Sequence, residues 1–209
     1  QNLVSRGASI ILNDIQKHNL NLLKFAEELQ KLTNGRCQGN LYFSMASHQA
    51  FGPHFDLHDV FAIHFEGEKV WNIYENIEKS PINHPVFKLS GDERRKRAGK
   101  IVEQVTLRPG DLLYIPRGQY HDALASQNGA IHIAFGLTYI KSIDVMTSLW
   151  QNFILNEFMR SDIKVNPNKD DLQSLLKKLS NELTNIINSK GALEIVTNAI
   201  HNWKYEMQA

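Results

Sequence analysis

Short β-rich runs cut by Gly and Pro occupy most of the sequence up to Tyr139, and helical spacing replaces them beyond Lys141. Asn40 to Ser44, His54 to Phe65, Lys69 to Tyr74, Ile101 to Leu107, Leu112 to Ile115 and Ala130 to Tyr139 are strand-length and rich in aromatic or β-branched residues. Pro109-Gly110-Asp111 and Pro116-Arg117-Gly118 supply turns between them, and Glu66-Gly67-Glu68 predicts a hairpin joining its two neighbours. Many short strands punctuated in this way bury their faces as a sandwich or barrel, so the expected fold is mainly β, of the jelly-roll kind. Ala8 to Leu12 reads as one more strand. Leu22, Leu23, Phe25, Ala26, Leu29 and Leu32 predict a flanking N-terminal helix that Asn34-Gly35 stops.

The change of period divides the chain into residues 1–140, the β domain, and 141–209, a helical segment. In the latter, Ile143, Met146, Leu149, Trp150 and Phe153 share a helix face, and Leu172, Leu176, Leu179, Leu183 and Ile186 step in a heptad-like rhythm. Leu193, Val196, Ile200 and Trp203 mark a last helix. These helices either pack on their own sheet or form a homodimerisation module. The formal net charge of +1 over 209 residues gives no global reason to expect a nucleic acid or membrane partner. Arg94-Arg95-Lys96-Arg97 reads as a solvated face; the alternative is a contact for an acidic or nucleic-acid-bearing substrate. Cys37 is the single cysteine, which rules out an intrachain disulfide and suits a reducing compartment, so the expected location is cytoplasmic. The chain begins at Gln1 rather than Met, which leaves a preceding segment open.

Chemistry concentrates in two stretches. His54 and Asp56 stand two apart, so on a strand both point to one face, and His121 in a second strand could complete a ligand set. Two imidazoles and one carboxylate leave open positions on a divalent ion, as in non-haem Fe(II) oxygenases. Val60, Ala62 and His64 share the parity of His54, Asp56 and His58; Phe55, Leu57, Phe61 and Ile63 take the other face. Lys69, Trp71 and Ile73 also share a face, whose direction depends on a register that sequence leaves open. Asn40, Tyr42 and Ser44 line one side of their strand, facing either a cavity or solvent.

Gly110-X5-Pro116-X-Gly118-X2-His121 has the spacing of the second cupin motif, and His54-X-Asp56 that of the oxygenase version of the first. With GASIILN, NLY, GPHFDLHDVF, EGEKVW and HIAFGLTY, the chain from about Gly7 through Tyr139 resembles the JmjC-type Fe(II)/2-oxoglutarate-dependent oxygenases of the cupin superfamily, specifically the ribosomal oxygenase group. The resemblance implies a double-stranded β-helix in which His54, Asp56 and His121 bind Fe(II). It implies that Lys69 pairs with the far carboxylate of 2-oxoglutarate, that Tyr42 donates its hydroxyl to the cosubstrate, and that Asn40 sits near the metal-bound end. Dioxygen is the other cosubstrate, and the expected product is a hydroxylated carbon on a protein or peptide side chain, a ribosomal protein being one candidate. Asp56 favours hydroxylation, because related halogenases replace this carboxylate to make room for halide. The alternatives are a non-redox metal-dependent cupin enzyme such as an isomerase, and a non-catalytic binding module. His58, His64 and His132 match no ligand position and read as structural histidines; the alternative is contact with the substrate or support behind the ligands. His64 stands where many relatives have Gln, and Gly136 where several have Ser. The ribosomal oxygenases carry a larger C-terminal portion, including a winged-helix domain, beyond the roughly seventy helical residues from 141 to 209, so the resemblance supports a ribosomal-protein substrate less than it supports the chemistry.

Overall fold

The computed structural model describes residues 9–45 and 51–205. They fall into two compact units, Gln1–Tyr139 and Ile140–Ala209. In the first unit the elements are β1 (Ile10–Leu12), α1 (Leu20–Thr33), β2 (Arg36–Ser44), β3 (Asp59–Ile77), α2 (Gly91–Ala98), β4 (Ile101–Leu107), β5 (Leu112–Ile115) and β6 (Gln119–Thr138). Ala8, the expected start of β1, lies outside the described residues. All strand pairs are antiparallel, in the order β1-β2-β6-β3-β4, with β5 on β3. The unit is a mostly antiparallel jelly roll with flanking helices.

The hairpin expected at Glu66-Gly67-Glu68 does not form. β3 runs 19 residues straight through it, and both halves pair with β6, the first also with β5 and the second with β4. The register shifts between His64 and Glu66 and again between Gly67 and Lys69, so the Gly-containing link is a bulge that bends the strand instead of reversing it. Gly67 has φ +68°, and a Cβ there would meet the carbonyl oxygen of Gly129. Only glycine combines that conformation with that approach. The bulge also changes which parity faces inward: Val60, Ala62 and His64 are buried before it, Lys69 and Trp71 after it.

Alternation along β6 separates two cores. Ile133, Phe135 and Leu137 pack with Cys37 and with Ala26 of α1, so the helix covers this face of the sheet. Asn19 caps α1 by accepting from the backbone N–H groups of Asn21 and Leu22, and Asn34 ends it in the left-handed conformation (φ 56°). On the other face Val60, Ala62, Trp71, Leu107 and Ile115 form the interior of the roll. Their rows continue into a cleft.

The second unit contains α3 (Ser142–Ser148), α4 (Trp150–Leu155), α5 (Lys169–Ile187) and α6 (Lys190–Tyr205). The first expected helix breaks in two at Leu149. The core of this unit is small: Leu149, Phe153 and Ala192, with Met159, Leu183, Ile186, Ile195 and Val196 around them. Leu172, Leu176 and Leu193 remain exposed.

Candidate active site

His54 and Asp56 are not on a strand as expected. Residues 55 to 58 are irregular, and His54 makes an isolated bridge with His121 through both backbone hydrogen bonds, 3.0 and 2.8 Å. The Asp56 carbonyl accepts from the Gly118 N–H at 3.0 Å, so the Pro116-Arg117-Gly118 turn, not a neighbouring strand, holds this segment. Convergence survives the change of local structure. One ligand atom from each of His54, Asp56 and His121 lies within 4.8 Å of the others. Asp56 Oδ2 is 3.6 Å from His121 Nε2.

Each imidazole is oriented from behind: Nδ1 of His54 is 2.9 Å from the Gly52 carbonyl oxygen, and Nδ1 of His121 is 2.9 Å from that of Gln119. A carbonyl can only accept, so each Nδ1 carries the proton and each Nε2 presents its lone pair. Burial, then the nearby His54, holds the His121 imidazole below its usual pKa, while Asp56 opposes the shift. Two neutral nitrogens and one anionic oxygen fit a divalent transition metal and leave part of its coordination sphere open.

The same cleft contains a buried cation. Tyr42, Ser44, Asp56, Lys69, Trp71 and His132 are among its walls, and it opens to solvent. Lys69 is 6% exposed. Its Nζ donates to Ser44 Oγ at 3.1 Å and stands 5.7 Å from the centre of the Trp71 ring. Burial lowers its pKa to about 8. Among the described residues no carboxylate forms an ion pair with Lys69, and Asp56 is the one carboxylate lining the cleft. A buried ammonium with only a hydroxyl and a ring for company lacks a counter-charge, and an anion entering the cleft could supply one.

Residues 13–145 match the model of the JmjC domain family. The chain belongs to that family. It is 30% identical over 156 residues to ribosomal oxygenase 2 of Bos taurus, covering 75% of this chain and 31% of the relative. It is 34% identical over 137 residues to the bifunctional lysine-specific demethylase and histidyl-hydroxylase NO66 of Dictyostelium discoideum, covering 65% and 26% respectively. The chain thus spans less than a third of the length of either. Among solved structures, YcfD, a ribosomal oxygenase from Escherichia coli in complex with cobalt and 2-oxoglutarate, superposes with a TM-score of 0.65 at 20% identity, over 92% of this chain and 50% of that one. That likeness establishes the jelly-roll fold.

The cleft of this JmjC domain holds more than the sequence singled out. Tyr42, His132 and His64 are direct cross-strand neighbours on β2, β6 and β3. Their rings stack in a row, with centroids 4.8 and 5.3 Å apart and planes 10° apart at each step. Trp71 Nε1 donates to His64 Nε2 at 3.2 Å, and its ring lies 6.0 Å from that of His121, which ties the row to the His54–Asp56–His121 cluster. Ser44 and Trp71 were legible as residues sharing faces with Tyr42 and Lys69, but pattern alone gave them no role. Asn40 is placed differently from its companions: it is not among the cleft walls, and its Oδ1 accepts from the Asp14 N–H at 3.2 Å. His58 packs over Gly136, where a Cβ would come within 2.9 Å of its ring, so the missing side chain at 136 is what admits the imidazole.

Proposed function

We propose that this JmjC domain is an Fe(II)- and 2-oxoglutarate-dependent dioxygenase that hydroxylates a carbon centre on a protein or peptide side chain. The observation that carries the reading is one cleft shared by a three-ligand cluster and a buried, anion-seeking Lys69. His54 and His121 hold the metal through Nε2 and Asp56 through a carboxylate oxygen. When bound, Fe(II) with 2-oxoglutarate and dioxygen supplies the power to hydroxylate an unactivated C–H bond, leaving succinate and carbon dioxide. Lys69 fixes the far carboxylate of the cosubstrate, and Tyr42 adds its hydroxyl. Asn40 is not among the cleft walls and its carbonyl is engaged by Asp14, so it is given no cosubstrate contact in this reading. The protein's own work is to orient these groups and to keep the ammonium dry, where its pull on a carboxylate is strongest.

A non-redox cupin enzyme or a plain binding module has no evident use for that buried charge. The names of the relatives, ribosomal oxygenase and histidyl-hydroxylase, support a protein side chain as substrate, with ribosomal proteins the first to try. No described helix is long and apolar enough to cross a membrane. The free thiol of Cys37 suits a reducing compartment such as the cytoplasm. The exposed Leu176 and Leu193 support a homodimer through the helical unit. An unchanged mass in solution for Leu176→Glu, alone and beside the wild type, defeats that dimer.

The deciding assay incubates the protein with Fe(II), ascorbate and 2-oxoglutarate and measures succinate, with His54→Ala as control. Wild type should form succinate, more so with peptides from ribosomal proteins, and the variant none. No succinate from the wild type under any of these conditions would falsify the proposal.

A further inference from the structure

We propose that His132 is a specificity-determining hydrogen-bond donor which, beside Lys69, selects a 2-oxo acid bearing a far carboxylate; this rests on the function proposed above. His132 lines the cleft yet is 3% exposed. Both faces of its ring are covered, by Tyr42 and by His64, in two near-parallel stacks. Trp71 meets the ring nearly edge-on, at 84°. Its Nδ1 is buried without a hydrogen-bond partner. We assign the proton to Nε2, the ring nitrogen left to meet the cleft, because an orphaned buried N–H is costlier than an orphaned lone pair; His64 bears that cost on its own Nδ1, because the Trp71 N–H claims its Nε2. The ring cannot turn away without breaking both stacks.

The charge state suits this task. Burial, then the charge of Lys69, pushes the His132 pKa to about 2, so the ring stays neutral beside the ammonium. It contributes a donor without adding a second positive charge. Ser44 completes the set by the same accounting. Its Oγ already accepts from Lys69, which leaves the hydroxyl proton for another acceptor, and the residue is 1% exposed. Lys69, Ser44 and His132 therefore offer protons to one region whose walls supply no carboxylate except Asp56 of the metal cluster. His64 is a positioning residue: the Trp71 N–H anchors its Nε2, and its ring backs that of His132.

The test loads the chain with Mn(II) and titrates it calorimetrically with 2-oxoglutarate and with 2-oxobutyrate, which lacks the far carboxylate. Wild type should prefer 2-oxoglutarate. His132→Phe, which keeps a flat ring for the stack but has no donor, should lose about tenfold or more of that preference, the scale of one hydrogen bond to a charged group. His132→Gln, which restores an N–H, should recover part of it. If His132→Phe fails to fold, His132→Gln against His132→Met carries the same contrast between a donor and an apolar chain of similar length. An undiminished preference in the donor-free variant overturns the inference and leaves the proposed function standing. So does an equal loss of affinity for both acids, which would mark His132 as structural. A wild type that binds both acids alike removes the anion end altogether, and the function with it.

Discussion

At the metal end of the cleft two imidazoles and a carboxylate turn lone pairs toward a common point, whereas at the Lys69 end an ammonium, a hydroxyl and an imidazole offer protons. The first set is half-open to solvent at His54 and Asp56 and is oriented by the carbonyls of Gly52 and Gln119. The second is buried and rests on strands β2, β3 and β6. The difference is one of cost. Lone pairs near water lose little when no ion is present, but a buried charge without a counter-charge destabilises the fold until an anion arrives.

One substitution at each end should separate the two. Asp56→Ala should weaken Mn(II) binding by more than about 100-fold, since changes behind the ligands alone cost about 10–100-fold, while melting close to wild type. Lys69→Met should bind Mn(II) normally and lose 2-oxoglutarate affinity by about 100-fold. It should also melt higher, by roughly 1–4 kcal/mol of stability, because a buried charge gives way to an apolar chain of similar length. A Lys69→Met protein less stable than wild type would show that the ammonium supports the fold and would remove the contrast. Calorimetric titration and thermal unfolding of both variants give all these quantities.

The two ends were also legible in the sequence to different degrees. His54, Asp56 and His121 stand out by motif spacing, but parity along a strand is not what brings them together: residues 55–58 are not extended, and the Gly118 N–H sets the path of the Asp56 backbone. The jelly roll followed from the punctuated strands, and α1, α5 and α6 from apolar periodicity. At the other end Lys69 and Tyr42 were named through the family resemblance and not through pattern, because the facing of Lys69 depends on the bulge at Gly67. A turn sequence and a bulge sequence look alike, since both need a glycine with positive φ. Only pairing of both halves of β3 with β6 tells them apart, and that is a long-range fact. Once the bulge shifts the parity, Lys69 and Trp71 come to face the same interior as His64. The Tyr42–His132–His64 row was hidden for the same reason, because it crosses three strands whose register no local pattern fixes.

A smaller effect sharpens the contrast through pH. Burial, then the charge of Lys69, lowers the His64 pKa to about 4, and burial lowers that of His132 further, to about 2. In the unfolded chain both return to the ordinary value near 6.5. Between those limits the unfolded state binds more protons than the folded one, so stability is fully present above about pH 6.5 and drains away as the pH falls. His121, also held low, adds in the same direction, so the two ends must be separated by substitution. His64→Gln keeps an acceptor for the Trp71 N–H but cannot titrate. Its loss of stability from pH 8 to pH 5 should be smaller than that of wild type by on the order of 1–2 kcal/mol. Denaturant unfolding at the two pH values measures this difference. Equal losses in both proteins would mean that His64 does not resist protonation, and that the row behind Lys69 is wetter than its burial suggests.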